Sequence, residues 1–344
     1  MALRVNITIL LIILSFALPA LAAEQCQSKT QGECHDKAKS LKLKLISIAS
    51  ILVTSMIGVC LPLFSRAVPA LSPDKSLFSI VKAFASGVIL ATGYMHVLPD
   101  SFNCLTSECL PENPWRKFPF TTFVAMLSAL ITLMVDSFAL SYYKKHELRS
   151  EGEGVRDDVQ EGGNEDGETV NVKVEESPGG IDSPLLRHRV VAQVLELGIV
   201  VHSVVIGLSM GASDNPCTIR PLIAALCFHQ LFEGMGLGGC ILQAEYGMKM
   251  KATMVFFFSS TTPFGIALGI GLSNVYSENS PTALIVVGIL NASSAGLLNY
   301  MALVDLLAAD FMGHKLQQNV KLQMLAYIAV LLGAGGMSLM AKWA

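Results

Sequence analysis

Eight separate apolar stretches, each long enough to cross a lipid bilayer, constrain this chain more than any other feature. A helix needs about 20 mostly apolar residues to span the hydrocarbon core. The stretches are residues 45–64, 77–98, 118–142, 190–210, 222–242, 253–272, 283–303 and 325–340. Only 15% of the 344 residues are charged, against about 25% in an ordinary soluble domain. The sequence therefore predicts an all-α polytopic membrane protein with eight transmembrane helices.

The N-terminus and the loop charges predict how these helices are oriented. Residues 1–23 have a basic start, a short apolar run and small residues at the end, which favours a cleavable signal peptide over a retained anchor. Cleavage leaves residues 24–44 as an extracytosolic segment, and eight crossings return the C-terminus to that side. Lysine and arginine are then concentrated in the loops assigned to the cytosol, although the lysines of residues 24–44 oppose this rule.

An acidic stretch, residues 143–189, separates helices 1–3 in residues 45–142 from helices 4–8 in residues 190–344. It is rich in Glu, Asp and Gly and has few aromatic residues to build a core. We therefore expect a disordered cytosolic loop. A solvated linker is the simpler interpretation, and a metal-sensing segment is the alternative.

Cysteines also fall in the segments predicted to be exported. Cys26 with Cys34, and Cys104 with Cys109, could form disulfides in an oxidising compartment. Cys217 has no obvious partner in the sequence.

The most informative polar residues lie in the middle of the fourth and fifth stretches. His229 and Glu233 are four residues apart and hence share one helix face. His202 lies about half-way along the preceding stretch, so the two motifs should meet at similar depth. Ionisable groups at this depth are costly and commonly mark an ion pathway. Imidazole and carboxylate ligands suit Zn²⁺ or Fe²⁺ better than Mg²⁺ or Na⁺, which predicts a divalent-metal transporter. The alternative is a purely structural hydrogen bond.

Transport also requires weaker stations on either side of the central site. His96 and Asp100, four apart at the outer end of the second stretch, are candidates for an entrance. The candidate exit groups, all carboxylates on the cytosolic side, are Asp136, Glu196, Asp305 and Asp310. Structural hydrogen bonds or solvated helix ends are the alternative roles of these carboxylates.

The motif HSxxxG at His202 followed by HxxxE at His229 resembles the ZIP (Zrt-, Irt-like) family of metal transporters. Further stretches resemble its plant branch, near the iron-regulated transporters. They are FASGVILATGYMHVLPDSF at 84–102, ENPWRKFPF at 112–120, LELGIVVHSVVIGLSMG at 195–211, PLIAALCFHQLFEGMGLGGCILQAEY at 221–246, ALVDLLAADF at 302–311 and the closing AKWA.

The resemblance implies a 3+2+3 arrangement, in which spans 1–3 and 6–8 are inverted repeats around spans 4 and 5. It also implies that both termini are extracytosolic and that the central ligands are His202, His229 and Glu233. Some relatives bind a second metal through the positions of Ser203, Ile206, Gln230 and Thr262. Because Ile206 and Thr262 replace carboxylates of those relatives, we expect one strong site and a vestigial second.

These observations predict a transporter that imports divalent metal, most simply Zn²⁺, into the cytosol. The metal is a transported substrate, and no cofactor is expected. Uptake of Fe²⁺, with Mn²⁺ or Cd²⁺, is the alternative. An intramembrane zinc hydrolase or a metal-sensing receptor is a further rival, but no HExxH or GxSxG motif supports an enzyme.

The expected surroundings are a lipid bilayer, either the plasma membrane or an internal membrane, and a homodimer is a candidate assembly. Nucleic acid is not an expected partner, because the net charge is only −3. Metal ligands must be deprotonated, so binding should weaken as the pH falls toward the ordinary imidazole pKa of about 6.5.

Overall fold

Eight helices that are long and apolar enough to cross a membrane make up most of the described structure. The computed structural model describes residues 36–64, 75–159, 183–273 and 280–341. The helices are α1 (Lys37–Leu63), α2 (Ser76–Leu105), α3 (Phe120–Val159), α4 (Ser183–Ala212), α5 (Pro216–Gln243), α6 (Met248–Leu272), α7 (Pro281–Phe311) and α8 (Val320–Met340). The predicted all-α polytopic membrane fold is confirmed.

Side chains at the helix starts explain where several helices begin. The side-chain oxygens of Asp36, Asn215, Ser280 and Asn319 each accept hydrogen bonds from backbone N–H groups in the first turn of the helix that follows. These bonds satisfy amide groups that have no partner within the helix. Pro216 occupies the first position of α5, where its missing N–H costs nothing.

Several helix pairs approach so closely that only glycine fits at the contact. A Cβ atom on Gly207 of α4 would lie 2.6 Å from the carbonyl oxygen of Thr262 in α6, and one on Gly265 would lie 2.8 Å from that of Val204. Gly234 of α5 meets the backbone of α1 in the same way. Such contacts hold helices together where lipid supplies no hydrophobic drive for their association.

The contacts divide the helices into two bundles. Helix α1 packs on α5 and α4 packs on α6, and these four form what we call the central bundle. Helix α2 packs on α8 and α3 packs on α7, and these four form the flanking bundle. The bundles meet mainly where α2 contacts α5 and where α4 contacts α7. Helices α4 and α5 are mostly buried, whereas α3 and α8 expose most of their apolar surface, as lipid-facing helices do.

The two ends of the structure are named here by residues that lie at them. Helices α2, α4, α6 and α8 begin at the Lys82 end, where Lys82 contacts the last residue of α5 and the penultimate residue of α7. The other four helices begin at the Asp100 end, where Lys44 of α1 contacts Asp214 in the link between α4 and α5.

Two helices of the flanking bundle contain π-helical segments. Residues Thr92–Val97 of α2 and Met301–Ala308 of α7 form them. Such segments insert an extra residue into a turn, which re-aims the side chains around them, and they are frequent at functional sites. The first segment carries His96 and the second carries Asp305.

The helices extend beyond the bounds that hydropathy predicted. Helix α1 begins at Lys37 rather than near residue 45, α3 runs to Val159, and α4 begins at Ser183. The acidic stretch therefore contributes helical turns at both of its borders, because a helix that leaves the apolar core can continue on good helix formers such as Glu, Lys, Leu and Arg. Residues 160–182, the predicted signal peptide 1–23, and Cys26 and Cys34 lie outside the described residues.

Both disulfide-bonded cysteines of the described residues lie at the Asp100 end. Cys109 follows α2, and Cys217 is the second residue of α5. The sequence indicated a disulfide at Cys109 but none at Cys217.

Candidate metal site

Three buried imidazoles meet at the boundary between the two bundles. His202 comes from α4, His229 from α5 and His96 from the π-helical segment of α2. One ring nitrogen of each lies within 4.8 Å of those of the other two, and all three side chains are almost fully buried. The three ring centroids are 5.5 to 5.9 Å apart. Ligand atoms at this spacing can close around one ion with small side-chain movements.

A carboxylate completes the cluster. Glu233 is fully buried, and its Oε2 lies 3.7 Å from Nε2 of His229, one helical turn away. Neither carboxylate oxygen of Glu233, nor either ring nitrogen of His202, has a hydrogen-bond partner among the described residues. Buried polar atoms without partners are costly. Their convergence on one point therefore indicates a place for a cation that accepts nitrogen and oxygen ligands.

Asp100 connects this cluster to the Asp100 end of the structure. Its Oδ2 lies 3.8 Å from Nδ1 of His96, and its side chain is 41% exposed while that of His96 is 4% exposed. The carboxylate of Asp100 is therefore accessible to solvent, and the imidazole of His96 next to it is buried in the cluster. The sequence placed both residues at an entrance, whereas the structure brings His96 into the central cluster itself.

The positions of the second metal site of some relatives surround the cluster with weaker ligands. Ser203 and Gln230 are buried, and Ser203 Oγ, Gln230 Nε2 and Thr262 Oγ1 have no hydrogen-bond partner among the described residues. Ile206 packs in an apolar cluster with Ile51. Hydroxyl and amide groups bind a transition metal less strongly than imidazole or carboxylate does.

The predicted exit carboxylates lie between the cluster and the Lys82 end. Glu196 is buried in α4, six residues before His202, or roughly 9 Å along a helix that rises 1.5 Å per residue. Asp136 Oδ2 accepts a hydrogen bond from the hydroxyl of Tyr300 over 3.4 Å. The structure places Asp305 near Asp136 on the neighbouring helix, and Arg187 near both.

Lys82, a buried lysine at this end, is not among the functional residues predicted from the sequence. Lys82 Nζ lies 2.8 Å from Asp310 Oδ1 and donates a hydrogen bond to Gln243 Oε1 over 3.1 Å. Only 7% of its side chain is exposed. An ionisable residue inside the apolar stretch 77–98 is itself a signal of a functional position, so the sequence could have identified it. Asp310, predicted as an exit group, is thus engaged by this lysine.

An imidazole and carboxylate cluster buried between two bundles of apolar helices is the kind of site that a metal-ion transporter requires. The family model described as "ZIP Zinc transporter" matches residues 41–341. The chain therefore belongs to the ZIP family, and it is a metal transporter rather than an enzyme.

Curated plant relatives are similar to this chain over nearly its whole length. The rice (Oryza sativa subsp. japonica) protein named "Fe(2+) transport protein 1" is 61% identical over 95% of this chain and 93% of its own. "Zinc transporter 7" of Arabidopsis thaliana is 58% identical, and "Fe(2+) transport protein 1" of the same plant is 59% identical, each over 98% of this chain and 97% of its own.

Proposed function

We propose that this protein imports Zn²⁺ into the cytosol, with the Asp100 end facing outside and the Lys82 end facing the cytosol. Disulfides persist in oxidising compartments, and both Cys109 and Cys217 are disulfide-bonded at the Asp100 end. Apart from residues 37–44, whose four lysines lie at the Asp100 end and oppose the positive-inside rule, basic residues are concentrated at the opposite end, as that rule requires of cytosolic loops. They include Lys75, Arg187, Arg189, Lys249, Lys251, Lys315 and Lys321.

The convergence of His96, His202 and His229 beside Glu233 carries this proposal. Zn²⁺ is bound in proteins by three or four nitrogen, oxygen or sulfur ligands in tetrahedral geometry. Three neutral imidazoles and one carboxylate supply four such ligands and leave a net charge of +1 on the ion and its ligands. The ion thereby exchanges its water shell for protein ligands within the buried site.

The path on either side follows the same chemistry. A hydrated ion is attracted to Asp100, loses water as it reaches His96, and then binds His202, His229 and Glu233. It leaves past the carboxylates of the Lys82 end, which we propose as weaker stations, namely Glu196, Asp136, Asp305 and Asp310. Movement of one bundle against the other opens the site to each side in turn. Ser203 and Gln230 belong to a vestigial second site that binds weakly.

Zinc binding and uptake together test the proposal. We expect purified protein to bind Zn²⁺ near 1:1, and His202→Ala or Glu233→Ala to abolish ⁶⁵Zn uptake by cells while membrane abundance stays unchanged. Uptake at the wild-type rate in either variant would contradict the site. Metal flux in proteoliposomes separates transport from a metal-sensing role, because a receptor binds zinc without moving it.

Fe²⁺ is the second candidate substrate, because relatives at about 60% identity carry the name Fe(2+) transport protein. Imidazole and carboxylate ligands accept Fe²⁺ as well as Zn²⁺, and Mn²⁺ and Cd²⁺ are further candidates. Expression in zinc-starved and in iron-starved cells that lack their own importers distinguishes them. Rescue of the zinc-starved cells alone supports Zn²⁺, and rescue of the iron-starved cells alone overturns it.

Residence in the plasma membrane and assembly as a homodimer belong to the same proposal. Surface biotinylation of intact cells tests the first, since a protein confined to an internal membrane is not labelled. The mass of the purified protein in detergent, measured by light scattering, tests the second.

A further inference from the structure

Arg187 and Lys82 each make a polar contact that joins the bundles at the Lys82 end. Arg187 Nη2 in α4 of the central bundle lies 3.6 Å from Asp305 Oδ1 in α7 of the flanking bundle. Lys82 in α2 of the flanking bundle donates to Gln243 at the end of α5 in the central bundle. The pair of Arg187 with Asp305 crosses the boundary between the bundles, whereas the pairs of Lys44 with Asp214, Lys82 with Asp310 and His229 with Glu233 each lie within one bundle.

Asp305 depends on Arg187 for its compensating charge. Its side chain is 1% exposed, and neither of its carboxylate oxygens accepts a hydrogen bond from the described residues. A buried carboxylate without a partner is costly. Arg187 is 41% exposed, so its guanidinium reaches from water onto the buried carboxylate and also lies near Asp136. The positively charged guanidinium of Arg187 therefore lies beside two of the carboxylates that we propose as stations on the exit path, Asp305 and Asp136.

At each end of the proposed ion path, one group of the flanking bundle lies in a π-helical segment. Toward the Asp100 end this group is His96, in the π-helical segment of α2, and it contacts the imidazoles of the central bundle. Toward the Lys82 end it is Asp305, in the π-helical segment of α7, and it contacts Arg187. The group of the central bundle that contacts the flanking bundle therefore differs between the ends. It is a pair of metal-binding imidazoles toward the Asp100 end and a guanidinium toward the Lys82 end.

We propose that Arg187 is a latch that holds the Lys82 end closed by occupying Asp305, and that the departing metal ion replaces it there. The hydrogen bond from Lys82 to Gln243 is the second part of the closure. When the bundles separate at this end, Asp305 exchanges the guanidinium for the doubly charged ion. Arg187 is thus a positioning residue for transport, and this role rests on the proposed function of the central site.

The thiol of Cys240 can be used to measure whether the Lys82 end is open. Cys240 lies in α5, one turn before Gln243, and is 2% exposed. It is near Lys82, Asp305 and Asp310, and thus close to the contacts that would have to break. A water-soluble maleimide can reach Cys240 only when the bundles separate here, so its rate of modification measures opening.

Arg189 supplies a matched control on the same helix. Its Nε donates a hydrogen bond to the carbonyl oxygen of Ala244, and its guanidinium lies 5.7 Å from the ring centroid of Tyr246. Both partners belong to the end of α5 and the turn that follows it. Arg189→Gln therefore removes the same charge as Arg187→Gln but breaks no contact between the bundles.

The experiment compares modification of Cys240 in full-length purified protein by peptide mass spectrometry. A partly exposed ion pair biases an equilibrium by about two- to five-fold, so we expect Arg187→Gln to speed modification by about that factor. Arg189→Gln should match the wild type. Gln243→Leu leaves Lys82 paired with Asp310 and should also speed modification of Cys240. If Arg187→Gln does not fold, the rate in Gln243→Leu alone tests whether these contacts keep the Lys82 end closed.

Two results overturn the latch: wild-type modification rates in both Arg187→Gln and Gln243→Leu, or equal acceleration in Arg189→Gln. The readout needs no metal, so it is independent of the central site. Faster modification in a protein that does not bind Zn²⁺ supports the latch and contradicts the proposed function, whereas unchanged modification in a protein that transports Zn²⁺ does the reverse.

Discussion

Replacement of His96 by alanine tests whether the flanking bundle supplies a ligand to the central site. The change removes one of three imidazoles and leaves His202, His229 and Glu233, all of which belong to the central bundle. Loss even of a group that only supports a ligand lowers metal affinity by about 10- to 100-fold. We therefore expect the Kd for Zn²⁺ to rise by at least 10-fold, a loss of at least about 1.4 kcal/mol.

Zinc-dependent stabilisation gives an independent measure of the same loss. At a zinc concentration of 100 times the wild-type Kd, binding stabilises the folded protein by about 2.7 kcal/mol. The same relation gives about 1.4 kcal/mol for a variant with 10-fold weaker binding and about 0.4 kcal/mol for 100-fold weaker binding. The thermal shift produced by zinc should therefore fall to half of its wild-type value or less.

The assay is a zinc titration and a thermal melt of purified protein in detergent, with Met95→Ala as the control. Met95 lies beside His96 in the same π-helical segment, but its side chain is half exposed and faces away from the cluster. We expect Met95→Ala to bind zinc like the wild type. A Kd for His96→Ala within two-fold of the wild-type value would refute the assignment of this ligand.

Three further substitutions test other parts of the structure. Glu233→Gln keeps the size of the side chain but removes its charge, and we expect loss of ⁶⁵Zn uptake at unchanged abundance; normal uptake would contradict its role. Asp100→Asn should raise the KM for zinc several-fold with little change in maximal rate, because it weakens attraction of the ion and spares the buried cluster; a fall in maximal rate alone would argue against an entrance. Gly265→Leu should destabilise the protein by about 1–3 kcal/mol, measured as a lower Tm, because a Cβ at this position would lie 2.8 Å from the carbonyl oxygen of Val204 in α4. Gly271→Leu, which has nothing within 4 Å of its Cβ, should not.

Hydropathy and spacing predicted the spanning helices and the central motifs. Apolar length sets the number of crossings because the bilayer has a fixed thickness, and a spacing of four residues places His229 and Glu233 on one face of a helix. The short link between α4 and α5 brings His202 to the same depth. These relations are local in sequence, which is why they can be read without coordinates.

Contacts between distant helices could not be predicted in this way. The sequence placed His96 at an entrance because it is near the outer end of its stretch, whereas the π-helical segment of α2 turns the imidazole toward His202 and His229. The pairs of Lys82 with Asp310 and Arg187 with Asp305 join residues more than a hundred positions apart. No periodicity within one helix encodes which helix packs beside it.

X-ray absorption spectroscopy of the purified zinc-loaded protein tests most directly whether these imidazoles hold the ion. We expect one Zn²⁺ with nitrogen and oxygen ligands near 2.0–2.1 Å, the outer-shell scattering of three imidazoles, and the loss of one imidazole in His96→Ala. Sulfur ligands near 2.3 Å, or zinc without imidazole scattering, would contradict the site.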